Sequence, residues 1–268
     1  MRNILVKWGA WLLGLGLLVG QALAALPDPV AFSWALELGD VDKVKGWLDE
    51  GLDPEFQGQR IGTGLMSAAW HGNIEMMKLF VERGANPHRV NRMGEQALQL
   101  AAWNGHLEAV KWLLEHGAAV NREGDYWSAL HYAVFNGHRE VARYLIERGA
   151  DIDARSPNGS TPLMMAAREG REEVAKLLLA AGADVKSSND WGDTALVLAM
   201  RYDHYRVGKL ISSPEEFDIA VKAPREDFGP PLRSAPAPNE IEELLAKIRA
   251  AEAAGQSSEH LRAQLRQR

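Results

Sequence analysis

The amino-acid sequence predicts an all-α solenoid of about six helix-turn-helix units with hairpin-like loops, followed by a helical tail. Three series of residues carry this reading. Gly39, Gly72, Gly105, Gly137 and Gly170 recur at steps of 33, 33, 32 and 33 residues. Gly51, Gly84, Gly117, Gly149 and Gly182 keep step with them, and so do Leu65, Leu98, Leu130, Leu163 and Leu196. Coincident series at one period mark a repeated structural unit.

The chain opens with a targeting pattern over residues 1–24. Arg2 and Lys7 form a short positive region, Trp8 to Gly20 is uncharged and mostly apolar, and Ala22-Leu23-Ala24 supplies a small-x-small cleavage site. The apolar run falls short of the ~20 residues that span a bilayer, and Pro27, Asp28 and Pro29 end it. The expectation is a signal peptide cleaved after Ala24, with no integral membrane span in the mature protein. The sequence contains no cysteine. That excludes disulfides, thiolate zinc sites, cysteine nucleophiles and the lipidated cysteine of a bacterial lipoprotein. A cysteine-free product suits an oxidising exported compartment, and the periplasm is the expected location. With 46% hydrophobic and 25% charged residues the chain has the composition of a folded protein. Its net charge of −6 shows none of the basic stripe of a nucleic-acid binder.

Residues 25–213 carry the repeats, and the fifth unit shows their physics. Thr161 can cap free N–H groups, and Pro162 fits the first turn of a helix. Ala166 and Ala167 are small enough for a neighbouring helix to approach closely, and Gly170 ends the helix at positive φ. Val174, Leu177, Leu178 and Leu179 form the apolar side of a second helix, and Gly182-Ala183-Asp184 turns the chain into a hairpin excursion.

These residues resemble the ankyrin repeat family, whose units read Thr-Pro-Leu-His, Ala-Ala, Gly-His and Gly-Ala-Asp. The matches include Thr161-Pro162-Leu163-Met164, Ala129-Leu130-His131, Gly105-His106, Gly137-His138 and Gly149-Ala150-Asp151. The resemblance covers roughly residues 29–212; tetratricopeptide repeats have a similar period but lack the Gly-Ala-Asp turn. Departures are informative. Other units read Thr63-Gly64, Gln96-Ala97, Ser128-Ala129 and Thr194-Ala195 at the Thr-Pro position. The 32-residue step places a one-residue deletion between Gly117 and Leu130, so the tip near Gly124-Asp125-Tyr126-Trp127 should differ from its neighbours. The first and last units are expected to act as caps, the last carrying Asp203 at the loop-glycine position and Ser212-Ser213-Pro214 in place of Gly-Ala-Asp.

Residues 214–238, rich in proline and charge, read as a linker or a strap along the last repeat. Residues 239–268 read as an amphipathic helical tail: Asn239 can cap a helix whose Ile241, Leu244, Leu245 and Ile248 share one face.

No motif for catalysis is present: no phosphate-binding glycine loop, no Gly-x-Ser-x-Gly elbow, no His-Glu-x-x-His. The resemblance implies that His106, His138 and His131 make local structural hydrogen bonds. His71, His88, His116, His204 and His260 share no metal-ligand spacing. No cofactor or metal is expected, and the chain reads as a non-enzyme.

In the ankyrin family the two residues before the loop glycine lie on the concave face, beside the hairpin tips. Here the first slot holds Glu37, Trp70, Trp103, Phe135, Arg168 and Arg201, and the second Leu38, His71, Asn104, Asn136, Glu169 and Tyr202. The tips add Arg92, Met93, Tyr126, Trp127 and Trp191. An aromatic ladder passing into an arginine ladder matches the chemistry of protein-binding hot spots. The competing reading is packing. Trp47 and Trp34 sit in inward slots, Trp112 fits either role, and Trp70, Trp103 and Phe135 could serve between repeats. The expectation is a periplasmic adaptor, otherwise monomeric, that binds another protein through this groove, either an enzyme it stabilises or a toxin it inhibits. A carbohydrate-binding module using the same aromatic stripe is the alternative.

Overall fold

The computed structural model describes residues 26–124 and 126–229. The expected signal peptide and tail helix lie outside them. Up to Lys222 the described residues form a stack of helix pairs. The first pair is Pro29–Glu37 (α1) with Val41–Asp49 (α2), and the second Gly64–His71 (α3) with Ile74–Glu82 (α4). Ala97–Trp103 (α5) and Leu107–Glu115 (α6) follow, then Ala129–Asn136 (α7) and Arg139–Glu147 (α8). The last two pairs are Pro162–Arg168 (α9) with Glu172–Ala180 (α10) and Ala195–Arg201 (α11) with Tyr205–Ile211 (α12). First helices pack on first helices and second on second along the series, so each unit is covered only by its neighbours.

Local chemistry sets these boundaries. Side chains of Asp28, Asp40, Thr63, Asn73, Ser128, Thr161 and Thr194 accept hydrogen bonds from first-turn N–H groups. The helix-ending glycines take positive φ, and Asp203 takes the same conformation at φ 62. Leu65, Leu98, Leu130 and Leu163 are buried, with the Ala68-Ala69, Ala101-Ala102 and Ala166-Ala167 pairs buried beside them. Gly64 stands where other units carry alanine or proline because the Phe80 ring would lie 1.9 Å from a Cβ there.

The hairpin loops run between pairs. Their tips close through Gly58 N–H to the Gly62 carbonyl (2.8 Å), Asn91 to Glu95 (2.9 Å), Ser156 to Ser160 (3.0 Å) and Asn189 to Asp193 (3.0 Å). In the fourth unit, one residue shorter, the Tyr126 N–H instead meets the Gly124 carbonyl at 3.0 Å.

Two expectations change. Trp47 is buried against Phe32, as its leucine slot requires, but Trp34 is 60% exposed. Its slot is filled in later units by Ser67, Leu100, Tyr132, Met165 and Leu198, all buried except the half-buried Tyr132. What covers that slot is the preceding repeat, and α1 follows none among the described residues. Val30 on the same helix and Leu38 at its C-cap are exposed too, so the outer face of α1 is apolar rather than polar. The stretch after Ser213 also departs from a plain linker, because Pro214–Lys222 forms a further helix (α13). Ser213 Oγ accepts from Glu216 N–H (3.1 Å) while Glu216 Oε2 accepts from Ser213 N–H (2.9 Å), a capping box with proline in the first turn. This helix packs on α12, with Ala220 buried and Phe217 facing Gly208. Beyond Lys222, Arg225–Phe228 forms a single 3-10 turn. No described helix is long and apolar enough to cross a membrane.

Candidate functional site

The residues that end the first helices are tied to the next unit through their backbones. His106 Nε2 bonds the Trp70 carbonyl at 3.0 Å. The Trp103 carbonyl accepts from Asn136 Nδ2 at 2.9 Å and meets His138 Nε2 at 2.8 Å. Arg171 Nε donates to the Phe135 carbonyl at 2.9 Å. The Gly-His histidines therefore act between repeats rather than locally. His131 acts both ways: Nδ1 faces Ser128 Oγ at 2.8 Å, and Nε2 reaches the Ser160 carbonyl of the next hairpin at 3.0 Å. Burial pushes its pKa down to about 4, so the imidazole is neutral at neutral pH.

On this frame the rings of Trp103 and Phe135 stack, centroids 5.7 Å apart and planes 18° apart. Tyr132 meets Trp103 edge-on at 5.4 Å. Trp127 closes the group, 5.2 Å from Tyr132 and 5.5 Å from Phe135. The Tyr132 hydroxyl donates to Glu95 Oε1 at 2.8 Å. Burial, reinforced by that carboxylate, raises its pKa above the ordinary tyrosine value, which keeps the phenol a donor. Trp103, Phe135 and Trp127 are half-buried, and Phe135 and Trp127 pack against the core. Trp70 is half-buried as well, but among the described residues no ring pair joins it to the others. Two of the three ladder rings thus form one cluster with Trp127 and Tyr132, the last outside the expected site residues. Its slot holds leucine or methionine in neighbouring units, so sequence alone reads it as core.

The arginine half of the ladder needs correction. Arg201 is buried and bound by both Asp193 carboxylate oxygens, one at 2.7 Å. A guanidinium consumed in that way does not meet a partner. Arg168 is half-buried, its Nε 3.3 Å from Glu169 Oε1 without hydrogen-bond geometry, and its guanidinium lies 5.7 Å from the Tyr202 ring. Of the second slot, His71 is exposed, with Nδ1 2.8 Å from the Ser67 carbonyl. Asn104 bonds within its own helix to the Leu100 carbonyl at 3.3 Å, and Asn136 bonds across to Trp103 as above.

The hairpin tips hold three large exposed apolar side chains. Met93 is 73% exposed, Trp191 61% and Tyr126 50%, with Arg92 exposed beside Met93. Arg122 supports Tyr126 from below, its guanidinium 4.3 Å from the ring while Nη1 donates to the Gly94 carbonyl at 2.5 Å. The shortened fourth tip and the fifth loop flank an open cleft of about 400 Å³ lined by Tyr126, Arg122, Asp151, Asp153 and Arg155. Among the described residues, no three histidine, aspartate or glutamate side chains gather as a metal-ligand set.

A family model described as ankyrin repeats (3 copies) matches the chain over residues 32–124, 65–156 and 130–223. No curated protein matches it.

Proposed function

Because the chain belongs to the ankyrin-repeat family, whose repeats generally mediate protein–protein interaction, we propose that it is a non-enzymatic adaptor that holds a partner protein along its hairpin tips. The observation that carries this reading is the exposure of Met93, Tyr126 and Trp191 on three of the loops, outside the stacking that buries most large apolar residues of the fold. Surface apolar groups of this size, held on stiff loops, match the side chains that dominate protein-binding hot spots. The Trp103–Phe135–Tyr132–Trp127 cluster stands behind them as a platform for the partner's edge. Residues 1–24 support an exported, periplasmic setting, in which the partner is an enzyme to be stabilised or a toxin to be held inactive.

The test is affinity capture from a periplasmic extract with the mature protein as bait, in parallel with Met93→Ala and Trp191→Ala. The expected result is one protein retained by the parent and weakened at least tenfold by either variant, with melting temperatures unchanged. Capture indifferent to both variants and to Trp103→Ala would move the site off this edge. Retention of a polysaccharide in place of a protein would replace the adaptor by a carbohydrate-binding module.

A further inference from the structure

The tips of the second and third hairpins are joined by one buried side chain. Asn91 Nδ2 donates to the Ile61 carbonyl (3.0 Å) and to Glu95 Oε2 (2.9 Å). Its Oδ1 accepts from the N–H groups of Met93 and Glu95, each at 2.9 Å. Gln59 N–H to Ser33 Oγ (2.8 Å) anchors the second loop from the other side. The bond from Asn91 to Ile61 sets the residues flanking it, Arg60 and Arg92, along one shallow cleft of about 40 Å³, with Met93 at its edge.

Some cations of this acidic molecule sit beside acids. Arg83 lies 2.6 Å from Asp49, Arg89 3.5 Å from Glu55, Lys111 2.7 Å from Glu108 and Lys176 2.8 Å from Glu172. Arg60 and Arg92 are exposed, and among the described residues neither has an acid or carbonyl partner. The acid nearest Arg92 in sequence, Glu95, is already engaged by Asn91 and by the Tyr132 hydroxyl. The one nearest Arg60, Glu55, accepts from Asn86 N–H and lies beside Arg89. Two arginines lining one cleft present like charges to it, and an incoming carboxylate offsets them while taking paired hydrogen bonds.

We propose that this cleft takes an acidic side chain of the partner protein, an aspartate or glutamate gripped by Arg60 and Arg92, with a neighbouring apolar residue on Met93. The inference rests on the adaptor reading and names its chemistry: the bound segment is acidic and carries an apolar residue close to the acid. The two arginines steer and orient that segment, and Met93, an adaptable apolar surface, accepts side chains of differing shape.

A random peptide library displayed on phage tests it, selected against the mature protein and against the double variant Arg60→Glu, Arg92→Glu. A milder pair, Arg60→Gln with Arg92→Gln, covers the case in which the double reversal does not fold. On the parent the selected peptides should share an aspartate or glutamate within a few positions of an aliphatic or aromatic residue. Their enrichment should fall at least tenfold on the variant. A consensus without acids, or an acidic one that survives both double variants, overturns the inference. Selection of non-acidic peptides that depend on Trp191 would sink it while leaving the adaptor reading intact. Tight binding of heparin with no peptide selected would assign the cleft to a polyanion and overturn it as well.

Discussion

Replacing His131 by glutamine should change how the protein responds to acid. The imidazole is buried, with its two nitrogens facing Ser128 and the Ser160 carbonyl, and burial pushes its pKa down to about 4 from an ordinary value of 6.5. The unfolded chain therefore takes up the proton first as pH falls. Its contribution is whole above about pH 6.5 and is lost progressively toward pH 4. The difference between the two values corresponds to about 3 kcal/mol in the limit, and to about 2.5 kcal/mol by about pH 4.5. Glutamine is the residue of choice because Gln99 fills the same slot one repeat earlier, its Oε1 accepting from Gln96 N–H at 3.0 Å. Urea denaturation of both proteins at about pH 7.5 and about pH 4.5 isolates this residue from the carboxylates common to both. The parent should lose about 2.5 kcal/mol relative to the variant over that interval. Two proteins that fall in parallel would mean that water reaches the imidazole and that its burial is not what holds it neutral.

Other outcomes follow from the same structure. Leu163→Ala should cost about 2–5 kcal/mol in chemical denaturation, the usual range for a fully buried leucine. Asp193→Asn should cost about 3 kcal/mol, because it leaves the buried Arg201 charge without its counterion; a loss near zero would place water in that pair. Trp103→Ala should lower the melting temperature by several degrees and Trp191→Ala should leave it unchanged, since only the first ring is packed among others. The exported protein should begin at Ala25 by intact mass, and a mass that retains Met1 would replace the cleaved signal by an anchor.

The repeat frame was legible because period and residue type coincide. A glycine at each helix end and a leucine at each first turn can be read without knowing any neighbour. What spacing does not carry is what lies across a slot. Trp34 has the slot of Leu100 and Met165, but burial there depends on a preceding repeat, and none precedes α1 among the described residues. Arg201 has the slot of Trp103, but the loop delivers Asp193 beneath it, and an acid eight residues upstream in a hairpin gives no periodic signal. The Ser213–Glu216 capping box was readable in principle; proline and charge content favoured a linker or strap there, although the first turn of a helix is where proline fits. For the candidate site, tip residues were identifiable by position, whereas Tyr132 and Glu95 became visible only once rings and loops were placed in space.

The fourth hairpin has a broader meaning for how such a molecule can change. It is one residue shorter than its neighbours and has a different tip, yet Leu130, Ala133 and Leu145 stay as buried as their counterparts. Chain length at the tip is thus decoupled from the phase of the helices. A loop at this point can gain or lose residues, or receive a foreign recognition segment, without requiring compensating changes in the interior. Variation confined to the tips offers a route to new partners that leaves the cost of folding nearly untouched, and the gap beside Tyr126 marks where such a graft would start.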